Sequence, residues 1–428
     1  MSGISAELQW RGLVHQSTDE ARLRELLNAE SRTLYCGFDP SADSLHVGSL
    51  IPLLMLRRFQ RAGHRPIALV GGATGMIGDP SGKSEERNLL SEEVLRENVA
   101  GLEQQMRLIL DFDDAAAPAA LVNNYDWMRG WSYLEFLRDV GKHFPVSVMM
   151  AKDSVKSRLE RDDAGISFTE FSYMLLQAYD FAHLHREDGC LLQIGASDQW
   201  GNITAGIDLA RRMSGAQLYG LTCPLLTKSD GSKMGKTESG TVWLSPRRTS
   251  PYAFYQYWIN VDDADTGNCL RMLTEVERDE IEALDAARAA DPGKRESQKR
   301  LAEELTRLVH GEDGLRAAQR ATEIFFGAEI REFSDAQLGE IFADVPSCEL
   351  PRERLAGDGL NLVDALVEAG LAKSKGEARR TIGQGGAYVN NRRTEGVETQ
   401  LTASDLASES VMVLRSGKKK YALLRFVD

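Results

Sequence analysis

Cysteine is scarce and unpaired in this 428-residue sequence: Cys36, Cys190, Cys223, Cys269 and Cys348 are scattered, with no CxxC or similar spacing. That excludes a disulfide framework and a zinc knuckle as organising devices and points to a reducing compartment. Long apolar runs are missing as well. No stretch approaches the roughly 18 apolar residues of a membrane span, and the opening MSGISAELQWRGLVHQSTDE holds no apolar core flanked by basic residues. The expected location is cytoplasmic, with no membrane partner. Internal repeats and low-complexity tracts are absent too. Positive charge is in deficit overall, at a formal net charge of −13, which taken whole speaks against nucleic-acid binding.

The deficit is uneven. Residues 351–428 carry 13 Lys+Arg against 10 Asp+Glu, a net of +3, so the preceding residues carry −16. A small basic module on an acidic body is how a polyanion-binding domain hides in an acidic chain. Length predicts two or three domains. In the first half, TLYCGF and RPIALVGG are short apolar runs ending in glycine, and between them LIPLLMLRRFQRAG has helical periodicity. CLLQIG followed by the helical SDQWGNITAGIDLARRM repeats the pattern. The fold class expected is α/β, a doubly wound parallel sheet over residues 1–245. A helical domain is expected over 246–326, a linker with Pro346 and Pro351 over 327–358, and a small α+β module over 359–424.

Several motifs carry candidate chemistry. The glycine-rich VGGATGMIGDPSGKSEER matches no nucleotide fingerprint: a P-loop needs glycine where Ile77 stands, and GxGxxG does not occur. It still suits close backbone approach by a ligand, with Asp79, Lys83 and Arg87 along it; a plain surface loop reads the same way. SDGSKMGKT sets Lys233 and Lys236 three apart among small residues, which fits a loop closing over polyphosphate and equally a solvated turn. SFTEFSYMLLQAYD opens with the capping-box pair Ser167 and Glu170, so a helix starts there. It puts Tyr173, Gln177 and Asp180 within about 60° of one another, as a solvated face or one wall of a pocket. In SLHVGSL, Pro52 belongs in the first turn of a helix, which therefore starts near Gly48 or Ser49 with His46 just outside it. Such a helix start favours an anion. No second histidine or cysteine lies at zinc-ligand spacing from His46.

YCGFDPSADSLHVGSL, YMLLQAYD, QIGASDQWGN and KSDGSKMGKT, in this order, resemble bacterial tyrosyl-tRNA synthetases, class I aminoacyl-tRNA synthetases, across essentially the whole chain. His46 and Gly48 fall in the HIGH-type signature, and Lys233 to Thr237 in the KMSKS-type signature. Ser49 replaces the second HIGH histidine, KMGKT departs from strict KMSKS, and Ala196 stands where relatives often carry a second glycine. The resemblance implies a tyrosine–tRNA ligase with a Rossmann-like catalytic domain carrying a connective insertion, an anticodon-side helical domain and an S4-like RNA-binding module. It implies ATP as substrate with Mg²⁺ but no dedicated protein site for the ion, L-tyrosine and tRNA(Tyr) as partners, and a homodimer. His46 and Ser41 would meet the ATP phosphates, with Ser49 donating beside them. Lys83, Arg87, Lys233 and Lys236 would stabilise departing pyrophosphate. Gly37, Asp39, Gly48, Asp198 and Gln199 would surround the nucleotide, with Cys36 near the ribose. Tyr35 and Asp180 would hold the tyrosine hydroxyl; Asp79, Tyr173 and Gln177 would hold its ammonium group, with Gln193 beside them. Arg379, Arg380, Arg392, Arg393, Lys418, Lys419 and Lys420 would contact RNA. The rivals are a catalytically inactive RNA-binding paralogue and an adenylylating enzyme with another substrate.

Overall fold

The computed structural model describes residues 3–81, 90–159, 165–237, 240–331, 333–342, 345–394, 396–418 and 420–427, the side chains of 153, 154, 157 and 340 excepted. Lys83, Arg87 and Lys419 lie outside the described residues. The chain divides into two compact units, one of Met1–Thr249 with Trp258–Val309, the other of Ser250–Tyr257 with His310–Asp428.

The first unit is built on a six-stranded sheet: β1 Gln16–Ser17, β2 Thr33–Phe38, β3 Arg65–Val70, β4 Ala120–Asn123, β5 Leu192–Ala196 and β6 Tyr219–Cys223, in the spatial order β1-β6-β5-β2-β3-β4. All neighbours are parallel except the short edge strand β1. A parallel sheet is covered on both faces, which explains the near-continuous apolar runs of TLYCGF and RPIALV. Pro66 lies near the start of β3, where its missing N–H is tolerated. The Leu50–Arg61 helix follows a short 3₁₀ turn at Val47–Ser49 and sets Pro52 in its first turn. The Phe168–Asp188 and Trp200–Ser214 helices both end at a left-handed glycine, Gly189 and Gly215. Chain order reverses between β2 and β5, so the crevice beyond their carboxyl ends is where a doubly wound sheet receives a ligand.

Three local expectations meet a different structure. Ser167 caps its helix by accepting from the Glu170 N–H at 3.2 Å. The Glu170 carboxylate, however, pairs with Arg158 at 3.0 Å, both side chains 2% exposed, because a buried charge demands a counter-charge. The helical stretch is not a body of its own. Its Asp263–Leu273 helix and the turn after it lie in the first unit, where Arg11 Nη1 and Arg58 Nη2 donate to the Thr274 carbonyl and Arg57 Nε reaches Glu275 at 2.9 Å. Residues 327–358, expected as a linker, contain an Asp335–Ile341 helix and strand β9, Ser347–Pro351.

In the second unit β9 runs parallel to β15, Lys420–Val427, at the edge of a five-stranded sheet. The other members are β11 Ala387–Val389, β12 Arg392–Arg393 and β14 Val411–Ser416, in the order β12-β11-β14-β15-β9. A two-stranded ladder joins β10, Leu360–Asn361, to β13, Gln400–Leu401. One face of the large sheet packs on the Leu362–Glu368 and Lys375–Gly383 helices through Val363, Leu366, Ile382, Met412 and Leu424. Val411, Val413, Tyr421 and Leu423 pack with Ile324, Leu338 and Phe342 instead.

Candidate active site

The crevice between β2 and β5 is lined by polar side chains that the sheet and one helix bring together. Tyr35 and Gln193 are register partners on adjacent parallel strands, so they project from the same face. The Phe168–Asp188 helix lends its Tyr173, Gln177 and Asp180 stripe. Tyr173 donates to Asp39 Oδ2 at 2.8 Å, and Thr74 donates to Asp39 Oδ1 at 2.7 Å. This approach requires glycine at 71, where a β-carbon would stand 2.1 Å from Asp39 Oδ1. Asn124 links Thr74 to Asp180, and the Trp127 indole closes on the other oxygen of Asp180. On the opposite side Gln199 donates to Asp79 Oδ2 at 2.7 Å and accepts from Gln177 at 3.3 Å; Asn202 braces Gln199 and Asp79.

Amid this network three buried polar atoms find no hydrogen-bond partner among the described residues: the Tyr35 hydroxyl, Gln177 Oε1 and Gln193 Oε1. Leaving one buried polar group unmade costs about 1–3 kcal/mol, so three at one place mark a seat for a ligand that satisfies them. Burial pushes the Asp180 carboxyl up to about 7, against the hydrogen bonds of Asn124 and Trp127 that pull it down. The Tyr35 hydroxyl is raised well above its ordinary value, by burial first and by Asp180 second. Burial and then Asp39 raise Tyr173 likewise, so both phenols stay protonated donors.

The histidine of SLHVGSL caps the 3₁₀ turn. Its Nδ1 accepts the Gly48 N–H at 3.0 Å, which puts the ring proton of the neutral form on Nε2. His46 is exposed, and Ser49 is half-buried with no side-chain capping bond. Thr227 bridges Lys233, and Lys236–Thr237 forms β7, paired with β8 at Gly240–Thr241. Both lysines are exposed. The two signature segments touch: Gly235, at φ 88°, sits so close to Val47 that a β-carbon would lie 2.4 Å from its Cγ2. Val47 N–H also donates to the Val242 carbonyl at 3.2 Å, and Leu244 N–H to the Leu45 carbonyl at 2.9 Å.

The family described as tRNA synthetases class I (W and Y) matches residues 27–327. A tyrosine–tRNA ligase of Rhodopirellula baltica is 63% identical over 427 residues, covering 100% of this chain and 97% of its own. One of Bacillus caldotenax is 55% identical over 424 residues, 99% of both chains. This chain belongs to the class I aminoacyl-tRNA synthetases of the tryptophan and tyrosine group. The crystal structure of a C-terminally truncated mitochondrial tyrosyl-tRNA synthetase from Aspergillus nidulans covers 76% of this synthetase and 94% of its own chain, at a TM-score of 0.69 and 30% identity. Residues 337–424 match a tyrosine–tRNA ligase SYY-like C-terminal domain, which takes in β9 and most of the helix before it.

Other residues marked in the sequence fall as follows. Gln199, expected around the nucleotide, spends its amide on Asp79 and Gln177. Asp198 is half-buried in the same turn after β5. Ser41 and Gly37 are exposed beside Asp39 at the end of β2. Cys36 is buried, and burial raises its thiol far above the ordinary value, so it is a packing group rather than a nucleophile. Thr74, Asn124, Trp127 and Asn202 enter the site although no spacing in the sequence marked them.

The basic residues of the C-terminal module divide. Arg379 and Arg380 are exposed on the Lys375–Gly383 helix, and Lys418 and Lys420 flank the β14–β15 turn. The Gly417 N–H donates to the Gly386 carbonyl at 2.7 Å, and Gly385 lies directly under the Arg393 guanidinium, so Arg393 and that turn share a region of the surface. Arg392 is exposed as well and pairs with Glu329 of its own unit.

Proposed function

We propose that this synthetase is a tyrosine–tRNA ligase: it activates L-tyrosine with ATP, releasing pyrophosphate, and transfers the tyrosyl group to the 3′ end of tRNA(Tyr). The observation that carries the reading is the set of three orphaned polar atoms on Tyr35, Gln177 and Gln193 beside the carboxyl of Asp180. Tyrosine satisfies those of Tyr35 and Gln177. Its phenol donates to Asp180 and accepts from Tyr35, and its ammonium group meets Gln177 Oε1, the Asp79 carboxylate and the Tyr173 oxygen, with Gln193 alongside.

The tyrosine carboxylate is ionised at neutral pH and needs no general base. One of its oxygens attacks the α-phosphorus of ATP, the bond from that phosphorus to the bridging oxygen breaks, and pyrophosphate leaves with the electron pair. A terminal ribose hydroxyl of the tRNA then attacks the activated carbonyl and AMP leaves. The protein's work is positioning and charge neutralisation. His46 Nε2–H, Ser41 and Ser49 meet the phosphates at the helix entrance, and Lys233, Lys236, Lys83 and Arg87 take up the charge of pyrophosphate. Gly37, Asp39, Gly48 and Asp198 surround the nucleotide. Mg²⁺ accompanies ATP. The ion is assigned to the ATP phosphates and their waters.

The exposed cations of the C-terminal module meet tRNA phosphates. The synthetase works as a homodimer, a reading supported by exposed apolar side chains between 133 and 168, among them Tyr133 at 65%, Leu134 at 77% and Phe168 at 66%. It works in the cytoplasm; no helix among the described residues is long and apolar enough to cross a membrane. Charging of bulk bacterial tRNA with labelled tyrosine by the full chain tests the whole reading: ATP-dependent tyrosyl-tRNA is expected, and failure to charge any tRNA contradicts it.

A further inference from the structure

In the proposed reading His46 presents Nε2–H to a phosphate; it is exposed at the cap of the 3₁₀ turn, where its Nδ1 accepts the Gly48 N–H. The residue directly opposite it is Trp243. The two form an antiparallel bridge, a pairing that sets β-carbons about 4.5–5.5 Å apart on one face. Their rings meet edge to face, with centroids 6.4 Å apart and planes at 66°. Trp243 is held in turn. Its backbone N–H donates to the Thr249 hydroxyl at 3.0 Å, the Arg248 guanidinium lies 4.7 Å from its ring centroid, and Arg248 pairs with Asp43, three residues before His46. The ladder continues on both sides through Val47 to Val242, Leu244 to Leu45, and Ser245 to Ser44. Two ring contacts and one ion pair thus form a closed circuit, Asp43–Arg248–Trp243–His46.

We propose that Trp243 is a positioning residue for His46. Its indole ring, with Arg248 over its face, fixes the imidazole plane while the Gly48 N–H fixes the tautomer, so that Nε2–H is aimed before ATP arrives. The circuit also joins the two signature segments, because Trp243 follows the KMSKS-type loop by six residues and Gly235 of that loop abuts Val47. Trp243 touches no reacting atom in this account; it acts through His46 alone. The inference rests on the proposed ligase reading.

The test is a double-mutant cycle on tyrosyl-adenylate formation by the full chain, with tyrosine binding measured in parallel. Trp243→Ala is expected to lower kcat for adenylate formation about tenfold while leaving the tyrosine KM within about twofold. Trp243→Phe, which keeps an aromatic ring, is expected to regain most of the rate. In a His46→Ala background, Trp243→Ala should cost nothing further, since coupled residues are non-additive. Full additivity of the two losses would overturn the proposal, and so would loss of tyrosine binding in step with the rate. A wild-type chain without tyrosine-dependent activity would instead overturn the ligase reading, so the two failures are distinguishable.

Discussion

Trp127 holds Asp180: the indole Nε1–H donates to Oδ1 at 2.9 Å, while Asn124 donates to Oδ2 at 3.0 Å. Even with both donors, burial keeps the Asp180 carboxyl up at about 7. A folded value above the unfolded one means that the stability contributed by protonated Asp180 is complete below about pH 4 and is lost as pH rises through about 7. A phenol donating to Asp180 takes its ionised form, so tyrosine affinity runs the opposite way. Tyrosine KM is expected to fall as pH rises toward about 7 and then to level off. A profile from about pH 5.5 to 8.5 checks this; Asp180→Asn should flatten it.

Asp180→Ala removes the acceptor for the substrate phenol and leaves Asn124 and Trp127 without their partner. The preference for tyrosine over phenylalanine is expected to erode by about tenfold or more, at a cost of about 1–3 kcal/mol per unmade bond. Comparison of kcat/KM for the two amino acids measures it, and unchanged discrimination would remove Asp180 from the specificity assignment.

Gly235→Ala forces a β-carbon against Val47 at a backbone angle, φ 88°, that L side chains rarely adopt. The loop must shift, carrying Lys233 and Lys236 with it. Adenylate formation is expected to slow about tenfold with tyrosine binding unchanged, and Lys233→Ala with Lys236→Ala should show the same division more strongly. Loss of tyrosine binding in either variant would count against a role confined to pyrophosphate.

Neither charge of the buried Arg158–Glu170 pair is tolerated without the other. Arg158→Met strands a buried carboxylate and is expected to cost about 3–5 kcal/mol, whereas Arg158→Met with Glu170→Met should recover most of that loss. Denaturant midpoints compare them. A double variant as unstable as the single one would contradict this account.

In the C-terminal module, Arg379→Ala, Arg380→Ala and Lys418→Ala together should raise the KM for tRNA and reduce the salt dependence of charging by about one slope unit for each phosphate left without its cation. Adenylate formation should not change. Arg392→Ala should leave stability nearly unchanged, because its pair with Glu329 is exposed to solvent.

What the sequence made legible depends on the range of the interaction. TLYCGF, RPIALV and the helix of LIPLLMLRRFQRAG are dictated by local periodicity and appear at the expected places. The Tyr173–Gln177–Asp180 stripe reads correctly for the same reason: one helix fixes its spacing. Asn124 and Trp127 were illegible because they reach Asp180, more than fifty residues on, only through the approach of the turn after β4 to its helix. Strand β9 hid within a supposed linker because its partner β15 lies some seventy residues downstream. Glu170 looked like a capping residue because nothing local reveals Arg158 beside it.

ATP–pyrophosphate exchange, run separately with tyrosine, phenylalanine and tryptophan, tests most directly whether the orphaned Tyr35, Gln177 and Gln193 atoms form a seat for tyrosine. The account predicts exchange with tyrosine and little with the others. Exchange supported by tryptophan or phenylalanine instead, or by no aromatic amino acid, would contradict it.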